Sequence, residues 1–155
     1  YICLSICTLL EDRNEDAVCT EILETAYRFT TVNFNYYDVA SVMAKGPNPR
    51  GKRRNLYKTK SGKELDLYGL LLESFAKNPP EMELDFESIY SRITDLIEGE
   101  VKVPDKQSVK THLNNLQLIL KEKEEIYRAV EWKDGKVYIL DPLFLFYLRW
   151  GRVHE

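Results

Sequence analysis

The chain has 155 residues, 44% of them hydrophobic and 30% charged, with a formal net charge of −3. That is enough apolar material for one good core or two small ones, and mild acidity gives no global attraction for nucleic acid, so any such contact must come from local clustering. No apolar run approaches the ~20 residues a membrane span needs, and no signal peptide is evident.

Taken in order, Ile2, Ile6, Leu9 and Leu10 predict a short buried helix. Cys3, Cys7 and Cys19 form an odd, early set, which suits a reducing, cytoplasmic setting better than a disulfide framework. Cys3 and Cys7 would share a helix face, but His112 and His154 are far along the chain. The cysteines therefore read as small core residues and not as metal ligands. Asn14 can cap a second helix with Ala17, Val18, Ile22, Leu23, Ala26 and Tyr27 on one side. A third helix is expected over Tyr36 to Lys45, capped by Asn35 and closed at Gly46.

Pro47 and Pro49 stop regular structure, and a basic run follows: Arg50, Lys52, Arg53, Arg54, Lys58, Lys60 and Lys63, with no acid among them. Such a run is either a solvated loop or a grip on phosphates. Two local structures compete beyond it. Ser61-Gly62 can turn a hairpin, or Ser61 and Glu64 can form a capping box for the next helix. The hairpin is preferred, because three short helices followed by a basic hairpin repeat the order of elements downstream.

In the second half, a helix is expected from Asp66 to Lys77 with Leu67, Leu71, Leu72 and Phe75 inward, ended by Asn78-Pro79-Pro80. Glu81, Glu83, Asp85 and Glu87 read as a solvated acidic segment. Within it, Asp85 caps a helix with Phe86, Ile89, Tyr90, Ile93, Leu96 and Ile97 as its apolar stripe, closed at Gly99. Asp105 caps another, in which Val109, Leu113, Leu116 and Leu120 recur at three- and four-residue spacing.

The opposite face of that helix carries Lys106, Gln107, Lys110, Thr111, Asn114, Asn115 and Lys121. These are cations and amides able to reach phosphates and base edges. Asp134-Gly135 then signals a two-residue hairpin, which pairs Val130 with Ile139, Glu131 with Tyr138, Trp132 with Val137 and Lys133 with Lys136. Two lysines opposite one another repel, and a phosphate between them would relieve that cost. Asp141-Pro142 opens a last helix, apolar nearly all round, with Leu143, Phe144, Phe146, Tyr147, Leu148 and Trp150. It must plug the chain's own core or dock onto a neighbour.

A helix followed by a two-stranded ribbon is the signature of a winged helix-turn-helix. The expected fold is therefore mainly α with small β-hairpins (α+β), arranged as two tandem winged-helix units. Residues 1–65 form a degenerate unit with a basic hairpin or loop, and residues 66–155 the clearer one. The expected function is non-enzymatic reading of duplex DNA. Lys106, Gln107, Lys110, Thr111 and Asn114 would enter the major groove, while Lys133, Lys136, Arg53, Arg54 and Lys58 would hold the backbone. The competing reading is a protein-interaction or dimerisation scaffold that docks through Phe144, Tyr147 and Trp150.

The runs KVYILDPLFLFYLRWG, VKTHLNNLQ and LYGLLLESFAK resemble the C-terminal winged-helix region of archaeal-type AAA+ or STAND-like ATPases. The likeness covers about residues 66–151. It implies an accessory module that docks DNA or protein, with the ATPase residues upstream. The chain begins with Tyr1 and not Met, so an upstream ATPase domain is a possible partner. No Gly-rich phosphate loop, Gly-x-Ser-x-Gly elbow or His-Glu-x-x-His motif is present. No enzymatic activity, cofactor or metal is therefore expected, and His112 reads as a hydrogen-bonded, partly exposed side chain.

Overall fold

The computed structural model describes residues 1–48, 51, 53–99, 103–122 and 129–151. Arg50, Lys52 and His154 lie outside them. Helix α1 (Ile2–Arg13) ends at Asn14, which takes a left-handed φ of 52° and returns its N–H to Glu11. Asn14 therefore closes α1 and does not start α2 (Thr20–Thr31). Asparagine tolerates the left-handed region as readily as it caps a helix start. Ala17 and Val18 consequently fall in the connection, and α2 buries Ile22 and Ala26 against Leu9. Cys3, Cys7 and Cys19 are all exposed, contrary to the expectation of core cysteines. The apolar stripe of α1 is too narrow to include Cys3 and Cys7, and Cys19 is the N-cap of α2.

Helix α3 (Tyr37–Lys45) closes at Gly46 as expected, but its N-cap is Tyr36 and not Asn35, and no side chain caps its first turn. Gly46 has φ +59°, and a Cβ there would sit 2.6 Å from the Tyr68 ring, so only glycine fits. Strands β1 (Tyr57–Lys58) and β2 (Glu64–Leu65) form the preferred hairpin. Gly62 takes φ +83° in its turn, and the Thr59 hydroxyl accepts from the Lys63 N–H. An isolated bridge from Thr59 to Ile97 pins this hairpin to the second half.

Helix α4 (Leu67–Ala76) is capped by Asp66, whose carboxylate accepts from the N–H groups of Tyr68 and Gly69. It is buried nearly all round and lies at the centre of the molecule. Strand β3 (Glu83–Asp85) is an addition to the expected elements. Helix α5 (Phe86–Leu96) starts from Asp85, which accepts the Ser88 N–H. Helix α6 (Lys106–Glu122) starts from Asp105, which accepts the Ser108 N–H. Strands β4 (Val130–Lys133) and β5 (Lys136–Ile139) pair in the register read from the sequence. β5 also pairs antiparallel with β3, giving the sheet order β3-β5-β4. Helix α7 (Pro142–Trp150) opens on Asp141, which accepts the Leu143 N–H, with Pro142 in the first turn where its missing N–H costs nothing.

The architecture is α+β: helices with two small antiparallel sheets. The 65/66 boundary does not separate two cores. Val39, Ala40 and Met43 of α3 share one cluster with α4 to α7 and the larger sheet, while α1 and α2 add a small cluster of their own.

Candidate nucleic-acid interface

Helix α6 sorts its residues as amphipathic spacing requires. Val109, Leu113, Leu116 and Leu120 are buried, and Lys106, Gln107, Lys110, Thr111, Asn114, Leu118 and Lys121 are exposed. Asn115 turns inward and donates to the Tyr68 hydroxyl. His112 is half-buried, with Nδ1 2.7 Å from the Ser108 carbonyl and its ring 4.6 Å from that of Tyr68. It is a packing residue of the helix.

Several exposed polar groups are already engaged. Lys106 lies 2.6 Å from Glu87 of α5 and near the Tyr90 ring. The Lys110 ammonium sits 4.7 Å from the centre of the Phe86 ring and has no carboxylate partner among the described residues. The Thr111 hydroxyl donates to the Gln107 carbonyl. Asn114 accepts the indole N–H of Trp132 at 2.9 Å, and the Gln117 side chain accepts the Trp132 backbone N–H at 2.7 Å. Those two bonds lock the ribbon against α6. They also remove Asn114 as a reader of adenine, which needs the amide oxygen and nitrogen together. Its two N–H donors make no hydrogen bond among the described residues.

The ribbon's lysines do not extend the α6 surface. Val130, Trp132, Val137 and Ile139 face the core, so alternation puts Glu131, Lys133, Lys136 and Tyr138 on the solvent face of the sheet. There Lys136 is paired with Glu83 of β3, which holds its ammonium pKa above the ordinary lysine value. The repulsion expected between Lys133 and Lys136 is thus already relieved by a carboxylate of the chain, and no phosphate is needed. Lys133 stays exposed at the tip, without a carboxylate partner among the described residues.

The first-half cations diverge further. Arg54 donates to Asp66 at 2.6 Å and to the carbonyls of Lys45 and Pro47, and its guanidinium lies 4.8 Å from the Tyr68 ring centre. It fastens the end of α3 to the start of α4 and cannot also hold DNA backbone. Lys58 pairs with Glu98 at 2.7 Å. Arg53 remains exposed with no partner among the described residues. None of the three carboxylates that capture Lys58, Lys106 and Lys136 is a helical i,i+4 neighbour of its lysine, so sequence spacing gave no signal for them.

The residues expected to dock a partner dock within the chain. Phe144 is 0% exposed and Tyr147 5% exposed. Phe144 meets the Tyr36 ring edge-on at 5.5 Å, and Trp150 lies 5.0 Å from Tyr27. Tyr36 donates its hydroxyl to Asp141, the cap of α7. Burial, with that carboxylate beside it, pushes the Tyr36 phenol up to about 12. A phenol raised above its unfolded value of about 10 stabilises the fold fully below that value and loses its contribution as pH climbs through the folded one. Tyr36→Phe is therefore expected to show a flatter loss of stability between about pH 10 and 12 than the parent chain, measured by urea unfolding across that range.

No group of three or more His, Cys, Asp or Glu side chains able to hold a metal occurs among the described residues, and no helix there is long and apolar enough to cross a membrane. No protein-family model, curated protein or solved structure matches the chain.

Proposed function

We propose that residues 67–150 form a winged helix-turn-helix that binds duplex DNA through α6, largely without regard to sequence, as a non-enzymatic accessory module of the kind appended to archaeal-type ATPases. The order α4-β3-α5-α6-β4-β5, with β3 paired to the second ribbon strand, β5, supports the fold reading. The observation that carries the function is the exposed face of α6, where Lys110 and Lys121 flank Thr111, Asn114 and Leu118, with Gln107 one turn before them and no carboxylate among them. Eleven residues separate the two lysines, so they project nearly in line about 16 Å apart. That spacing suits phosphates on either side of a major groove ~12 Å wide. With Asn114 tied to Trp132, Gln107 is the main amide left to read base edges, and phosphate contacts dominate.

Lys110 and Lys121 give about two phosphate contacts, so affinity is expected to fall about 12-fold between 50 and 200 mM salt. Fluorescence anisotropy with a random duplex reads this directly. Binding that ignores salt, or none at 50 mM, would remove the proposal. The scaffold reading is favoured by one observation, the capture of Lys58, Lys106 and Lys136 by carboxylates. It predicts no duplex binding at any salt.

A further inference from the structure

A cleft of about 520 Å³ opens between the end of α2, the start of α3 and α7, and no residue of α6 lines it. Its size is that of a small-molecule site. Phe29, Phe34, Tyr37 and Trp150 contribute rings to it, and Val32 an aliphatic edge. Phe29, Val32 and Tyr37 are 54%, 81% and 62% exposed, so three large apolar side chains stand in water around one concavity. Leaving them there forgoes the ~25 cal/mol per Å² that burial would return.

Two polar groups lining the cleft lack partners. Arg28 makes no side-chain hydrogen bond or ion pair among the described residues, although it lies one turn from Glu24 and lines the cleft. Tyr147 is 5% exposed, yet its hydroxyl has no hydrogen-bond partner among the described residues. Its side chain is among those that line the cleft. Burial pushes the phenol's pKa up, helped by the neighbouring Tyr37 and Asp38, which keeps it a neutral donor at ordinary pH. Thr25 and Thr31 donate to main-chain carbonyls of α2 and keep their lone pairs free.

We propose that this cleft binds a small aromatic carboxylate: its ring packs among Phe29, Phe34 and Trp150, its anion pairs with Arg28, and the Tyr147 hydroxyl donates to a second oxygen. Aromatic rings supply stacking partners, and an unpaired guanidinium selects a planar carboxylate by its two-pronged geometry. This site is independent of the DNA-binding surface and stands if that reading fails.

Calorimetric titration with 1-naphthylacetate and with its neutral amide, 1-naphthylacetamide, tests the assignment. The acid is expected to bind about tenfold more tightly than the amide at low salt, the usual size of one charge-assisted hydrogen-bond pair. Arg28→Gln, at an exposed position that anchors nothing, should erase that difference and leave amide binding unchanged. Val32→Arg, which crowds the open edge, should weaken both ligands. Equal affinity for acid and amide, no binding of either, or an acid preference that survives Arg28→Gln would each overturn the proposal.

Discussion

Replacing Phe144 by alanine is expected to lower the unfolding free energy by about 3–5 kcal/mol, the range for deleting a fully buried aromatic ring. Urea denaturation with an unchanged slope would register it. The ring is inaccessible to solvent and shares the core cluster that joins α3, α4 and the larger sheet. It also meets Tyr36, whose hydroxyl holds the cap of α7. Its loss leaves a cavity bounded by elements from both halves of the chain, so the site cannot collapse by moving one helix alone. A side chain reserved for an outside partner would instead be exposed, and its removal would cost within about 0.5 kcal/mol. The same substitution therefore separates a structural α7 from a docking α7.

Reversing charge on α6 carries the largest expected effect on binding. Lys110→Glu with Lys121→Glu removes two phosphate contacts, each worth roughly tenfold in affinity at 50 mM salt. Together they should weaken duplex binding on the order of 100-fold. Both side chains are exposed and neither has a carboxylate partner among the described residues, so the variant should lose no more than about 2 kcal/mol of stability, from the Lys110–Phe86 contact and the helix-end charge of Lys121. Lys58→Gln is the matched control. Lys58 already faces Glu98, and its replacement should leave affinity within about twofold, since an exposed, internally paired lysine contributes little.

Local signals in the sequence were sufficient for most elements. Asp66, Asp85, Asp105 and Asp141 each cap the helix that follows, and the period of two around Asp134-Gly135 fixed the register of β4 and β5. Strand β3 escaped because it has three residues and one buried side chain, Leu84. No periodicity can be read from so short a segment, and its flanking carboxylates mimic a solvated loop. Asn14 misled because a left-handed closing residue and a helix cap look alike in sequence.

The interface was less legible than the fold, for an electrostatic reason. Which residues are cations is written in the sequence, but which of them are neutralised depends on pairs far apart in the chain, such as Lys106 with Glu87 and Lys136 with Glu83. The basic run beyond Gly46 illustrates the cost of that blindness. Arg54 looks like a surface cation, yet it ties Asp66 to the main chain at Lys45 and Pro47. Likewise Asn114 looks free to read bases, but the Trp132 indole N–H claims its side-chain oxygen.

The most direct test of the account maps the surface itself. Backbone amide shifts of the labelled chain would be followed by NMR as a 16-base-pair duplex is added at low salt. Perturbations are predicted at Gln107, Lys110, Thr111, Asn114, Leu118 and Lys121, with none along α1 and α2. Shifts confined to those first two helices, or a spectrum unchanged at saturating duplex, would contradict it.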